Sequence, residues 1–168
     1  GGKPNIYTEI LRSFSLWGLK SEFKHIPQDY LYNTRAVRLS LLKGLMDTDG
    51  SVDQRGYVEF SSSSRQLAYD VKFLVQSLGG LCKVVMKNTS HLPSYRCHIK
   101  FKDSAELFSI DRKVSRCIKR DKLVRRIKHI EFSGIKEAQC ITIKDERGLY
   151  LTNDFIVTHN SFLACAFA

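Results

Sequence analysis

The 168-residue chain is predicted to be an α+β protein built in two units, and three observations carry that prediction. Apolar residues recur at helical spacing in three stretches. Beside two of these stretches, apolar and polar residues alternate at strand spacing. Beyond Arg126 the helical periodicity gives way to short strand-like segments.

The first helix is expected over Thr8–Gly18, where Ile10, Leu11, Phe14 and Trp17 fall at helical spacing and Gly18 ends the run. Pro27 then breaks an extended stretch before Tyr30. A second helix is expected from about Arg35 to Asp47. Its stripe of Leu39, Leu42 and Met46, widened by Leu41 and Leu45, predicts burial on more than one side. Tyr57–Ser61 alternates as a strand, and the serines at 61–64 make a turn and a cap for a third helix ending at Leu78. On that helix Leu67, Val71, Leu74 and Leu78 share a face. Gly79 and Gly80 stop it and permit a tight reversal.

Leu81–Met86 and Tyr95–Phe101 then read as an antiparallel pair joined by a polar loop containing Pro93. Because side chains alternate across a sheet, Tyr95, Cys97, Ile99 and Phe101 face one way, and Arg96, His98, Lys100 and Lys102 the other. The basic face is either solvated or laid against phosphates. Lys113–Arg126 is expected to be a basic linker helix, solvated in the simplest case, between a domain at 1–112 and the segment 127–160. From Ile127 onward short strands are expected, with Gly134 and Gly148 at turns.

A net charge of +10, from 27 Lys and Arg against 17 Asp and Glu, suits a polyanion such as DNA and also serves solubility. Five cysteines at positions 82, 97, 117, 140 and 165 have no paired ligand spacing, which argues against zinc and a disulfide scaffold. No apolar run is long enough for a membrane span, so no membrane partner and an intracellular, cytoplasmic or nucleoid-associated location are expected.

Two runs carry chemistry. In Leu42-Lys43-Gly44-Leu45-Met46-Asp47-Thr48-Asp49-Gly50, Gly44 would let a second helix approach closely. Asp47 and Asp49 sit where the helix dipole disfavours acids, so they serve either as a cap or as ligands of a divalent cation. The second run, His159-Asn160-Ser161, follows an apolar stretch. An Asn amide can attack its own main-chain carbonyl and close a succinimide, with His handling the proton and Ser serving as an acyl acceptor. The alternative is an ordinary loop after a strand.

The first run resembles the LAGLIDADG motif of homing endonucleases, and Lys24-His25-Ile26-Pro27 resembles the Lys-Xaa-Ile-Pro segment before the second motif of intein-borne members. The resemblance implies an αββαββ half-domain that covers double-stranded DNA with antiparallel strands. It implies that Asp49 reaches a magnesium ion, that Asp47 is a structural cap, and that Gly44 and Gly50 serve packing. Lys100, with Lys83 as its competitor, would stand near the metal-bound water. Arg65, Arg96 and His98 would read bases from the same strands, and the lysines, Lys102 among them, would contact phosphates.

Ile127 to Ser161 resembles the last two segments of an intein, carried by Cys140-Ile141-Thr142-Ile143, Gly148-Leu149-Tyr150-Leu151-Thr152-Asn153-Asp154 and the run through Ser161. The resemblance implies C-terminal strands of a splicing (Hint) domain, Asn160 cyclisation assisted by His159, Ser161 as acceptor, and Cys140 as a junction residue. Splicing needs no cofactor. Residues 161–168 would be a flank of the host, resembling a P-loop ATPase helix.

One LAGLIDADG motif is present, Gly1 is not a splicing nucleophile, and no Thr-Xaa-Xaa-His block occurs. A missing N-terminal intein and endonuclease half is therefore expected in cis or in trans. Besides splicing with a homing nuclease half, two alternatives stand: a non-catalytic DNA-binding remnant, and a C-terminal self-cleavage module without nuclease activity.

Overall fold

The computed structural model describes residues 5–90, 92–132, 134–135, 137 and 141–159. The chain divides into two compact units, residues 1–123 and 124–168. It is a mixed α+β fold with two small sheets.

In the first unit, α1 (Ile6–Ser13) begins where the Asn5 side chain accepts the Tyr7 amide, and none of its residues is buried. It is shorter than its apolar spacing predicts. Gly18 has φ +79°, but the helix has already ended at Phe14, with Ser15 left-handed at φ 56° and Trp17 exposed. Pro27 leads directly into a one-turn helix, α2 (Gln28–Leu31), as its fixed φ favours.

Helix α3 (Arg35–Asp49) opens on Thr34, whose side chain accepts the Val37 amide, and runs two residues past the predicted end. Leu42 and Met46 are fully buried, while Leu39, Leu41 and Leu45 pack partly against the same core. Strand β1 (Gly50–Val52) follows without a loop, an element the sequence pattern did not reveal. Asp53 accepts the amides of Arg55 and Tyr57 and turns the chain into β2 (Val58–Ser62). Ser64 then caps α4 (Arg65–Ser77) through the Leu67 amide, as the serine cluster predicts.

The aligned face of α4 is the centre of the core: Val71, Leu74 and Val75 are inaccessible to solvent. Gly79, at φ +92°, reverses the chain into β3 (Leu81–Lys87), and β4 (Ser94–Lys100) returns beside it. The four strands form an antiparallel sheet in the order β1-β2-β4-β3. Its inner rows include Val52, Val58 and Ile99, then Phe60 and Cys97, which are buried in the same core as α4. The alternation predicted for β4 holds, with Cys97, Ile99 and Phe101 buried and His98 and Lys100 exposed.

The basic linker helix expected over Lys113–Arg126 reduces to the single turn α5 (Asp111–Val114). Residues 115–126 are not helical. Lys113, expected on a solvated face, is 7% exposed. In the second unit, the described strands form one antiparallel hairpin, β5 (Leu149–Thr152) with β6 (Ile156–His159). Gly148 and Gly134 both have positive φ, as turn positions do. No distinct Hint β-domain is evident among the described residues.

Candidate functional site

Two features of the first unit stand out as sites: the C-terminal end of α3 and the outer face of the four-stranded sheet. The last carbonyls of any helix lack intrahelical partners and carry partial negative charge. On α3 the Asp47 and Asp49 carboxylates add to that charge. The structure answers with Lys113, whose Nζ donates to the main-chain oxygens of Met46 at 2.9 Å, Asp47 at 2.8 Å and Gly50 at 2.6 Å. Its ammonium also lies 5.6 Å from the centroid of the Phe108 ring. All three donors of the lysine are used, so a buried cation is satisfied and the helix end is neutralised.

Asp47 faces the same junction and accepts the Ser109 amide at 2.9 and 3.2 Å. It thus caps the entry to α5 and leaves the end of its own helix to Lys113. Burial works against its charge. The amides of Ser109 and Ile110, the Ser109 side chain and the Lys113 charge together outweigh that and hold its carboxyl below the ordinary aspartate value. A carboxylate depressed on folding stabilises the fold above its unfolded pKa, and that stabilisation is lost as pH falls through the folded value. Acid unfolding of the Asp47→Asn chain is therefore expected to be shallower than wild type below about pH 4, in a circular-dichroism titration; superimposable acid limbs would count against Asp47. Asp49 is exposed at the last helical position, and no hydrogen bond or ion pair to its side chain is found among the described residues.

On the outer face, the register aligns Ser51, Glu59, His98 and Lys83 in one row across all four strands. The next row holds Ser61, Arg96 and Val85. Lys87 and Lys100 stand on the same face by alternation, and Lys83, Lys87 and Lys100 are exposed. Glu59 sits between Arg96, at 3.5 Å, and His98, at 3.4 Å. One acid therefore organises two flanking side chains in a face that is otherwise cationic. Lys102 follows β4 and is exposed, beside an ion pair of Asp103 with Lys119 at 2.9 Å.

Of the residues named from the sequence, Lys83, Arg96, His98 and Lys100 are brought to this one face. Arg65 is not: it is the first residue of α4, in the other layer, and not on the strands. Gly44 is exposed, and a methyl added there would meet nothing within 4 Å. The packing of a second helix on it is absent within the described residues. His159 ends β6 opposite Leu149, next to Gly148, where an added Cβ would lie 3.0 Å from its Nε2. Cys140, Asn160, Ser161 and the tail at 162–168 lie outside the described residues.

Lys113 is the residue that sequence reasoning missed. Its trace was present, since two acids at a helix C-terminus demand a cation. Nothing in the local pattern showed that the cation comes from a side chain more than sixty positions away.

The sheet packed on α4, with the acid-bearing helix beside it, defines an α+β domain of recognisable class. Residues 36–111 match the LAGLIDADG-like domain. Over 157 residues, 86% of its length, the chain is 31% identical to the replicative DNA helicase DnaB of Mycobacterium intracellulare, of which it covers 27%. It is also 41% identical over 68 residues to the ATP-dependent DNA helicase Hel308 of Thermococcus kodakarensis, covering 37% of this chain and 6% of that protein. The chain thus spans about a quarter or less of the relatives it matches.

These relatives overturn the expectation of a self-splicing intein segment with a magnesium-dependent homing endonuclease half, because the matched proteins are DNA helicases. Among the described residues, no group of three or more His, Cys, Asp or Glu side chains able to hold a metal ion occurs. Where a divalent cation was expected to offset the acids, the Lys113 ammonium offsets the helix end. No helix among the described residues is long and apolar enough to cross a membrane.

Proposed function

We propose that this chain is a DNA-binding segment of a DNA-helicase polypeptide, which holds duplex DNA on the outer face of its sheet and performs no phosphodiester cleavage. The observation that carries this is the convergence of Lys83, Lys87, Arg96, His98 and Lys100 on one solvent-facing sheet surface with a single acid, Glu59, among them. A twisted antiparallel sheet suits the duplex groove, and lysines along the strands suit the phosphates on either side. The helicase relatives and the net charge of +10 support the same reading. Ser161–Ala168 would then belong to the ATPase part of that polypeptide. An intracellular, nucleoid-associated location follows.

Duplex affinity is expected to persist in EDTA and to fall with salt, with a log–log slope on the order of −3 to −4 if about four phosphates are contacted. Lys83→Gln with Lys100→Gln should reduce the slope by about two and weaken all sequences alike. Fluorescence anisotropy with a labelled hairpin duplex reads both. Unchanged binding by the double variant, or nicking of supercoiled plasmid in magnesium, would overturn the proposal.

A further inference from the structure

We propose that the outer flank of α4 is a second nucleic-acid surface, which holds single-stranded DNA by stacking a base on Tyr69 between two cations. The flank lies in the opposite layer from the basic sheet face. Arg65, Tyr69 and Lys72 follow one another at helical spacing on the side of α4 turned away from the core. The Arg65 guanidinium lies 5.6 Å and the Lys72 ammonium 5.9 Å from the Tyr69 ring centroid. The ring is 44% exposed.

A second aromatic pair continues the flank. Phe73, one residue beyond Lys72, meets the Tyr32 ring edge-to-face with centroids 5.2 Å apart, and Tyr32 is 72% exposed. At the other end a cleft of about 580 Å³ opens between Glu22, Arg65, Gln66 and Tyr69. Among the described residues Glu22 is the one acid lining it, and Arg65 the one cation.

Exposed aromatic rings interleaved with cations are what a flexible single strand requires: bases stack on the rings, and phosphates fall beside the positive charges. A duplex cannot use the ring, because its bases are already stacked on each other. From Arg65 to Phe73 the helix advances about 12 Å, room for a short run of nucleotides. The choice of DNA over RNA rests on the helicase-segment reading above; the stacking surface itself does not.

The test uses the whole 168-residue chain and a fluorescein-labelled oligo(dT), with anisotropy as the readout. Tyr69→Ala is expected to weaken oligo(dT) binding about tenfold or more, whereas Tyr69→Phe, which keeps the ring, stays within twofold of wild type. Photocrosslinking with a 5-iodouracil oligonucleotide should place the adduct on Tyr69. An unchanged affinity for Tyr69→Ala, or an adduct mapped outside α4, overturns the proposal. Tighter binding of oligo(rU) than of oligo(dT) overturns the assignment to DNA. Hairpin duplex affinity is read in parallel: if Lys83→Gln with Lys100→Gln leaves it unchanged while Tyr69→Ala abolishes oligo(dT) binding, the sheet-face function fails and the α4 surface stands.

Discussion

Lys113→Ala is expected to destabilise the first unit by about 3 to 4 kcal/mol, because hydrogen bonds from a charged donor contribute roughly 1.5 to 3 kcal/mol each and part of that is recovered by water. Three main-chain oxygens lose their donor at once, and the α3 C-terminus loses the cation that faces its dipole. With a urea m-value of about 2 kcal/mol/M, the midpoint should fall by about 1.5 to 2 M. Lys113→Met separates the two contributions of the side chain: it keeps the aliphatic stem and discards the ammonium. Most of the loss should remain in that variant. A midpoint within about 0.3 M of wild type, roughly 0.6 kcal/mol, would mean that the ammonium does not hold the junction.

The second large effect is expected at Gly50. A methyl placed there would lie 2.5 Å from the Met46 carbonyl oxygen, 2.6 Å from Met46 Cε and 2.8 Å from Met46 Cα. The Cε end can swing aside; the backbone oxygen and Cα cannot. Gly50→Ala must therefore open the last turn of α3 or shift β1, at a cost of about 3 kcal/mol, the upper end for overpacking. Gly44→Ala is the control within the same motif, since nothing stands within 4 Å of its added methyl. It is expected to stabilise the helix by up to about 1 kcal/mol. Thermal denaturation of the two variants side by side should move the midpoint in opposite directions. Equal loss at both positions would show that Gly44 is packed against something in solution.

These two glycines show where the sequence was sufficient and where it was not. The motif run marked both as packing residues. One is closed by its own backbone four residues earlier, and the other is open to solvent. The distinction arises because Gly50 opens β1 directly against the last turn of α3 while Gly44 lies on the exposed side of that helix, and β1 is a three-residue strand too short to leave a periodic trace. The shortfall at the basic stretch after Lys113 has a related cause. Its charged residues satisfied helical propensity, but Asp111–Val114 is held as one turn because Lys113 is drawn inward to the end of α3. Tertiary contacts override local preference there.

Functional legibility divides along the same line. The strand alternation of β4 placed Arg96, His98 and Lys100 on one face from sequence alone, since period-two geometry leaves no other choice. Arg65 was legible as a cation, but its layer was not. The serine at position 64 caps a helix that begins at Arg65 and carries it away from the sheet surface.

By itself, then, the sequence determined the α+β class, the strongly basic charge, the core face of α4 and the cationic face of β4, because each follows from local composition or from a backbone period. Only the tertiary structure decided that the main-chain oxygens at the end of α3 meet a lysine from α5, that Glu59 sits between Arg96 and His98, and that Arg65 and Tyr69 lie on the far side of the sheet. The first two are meetings of distant chain segments or strand partners, and the third depends on the layer in which α4 packs. No periodicity within a segment encodes which partner it will meet.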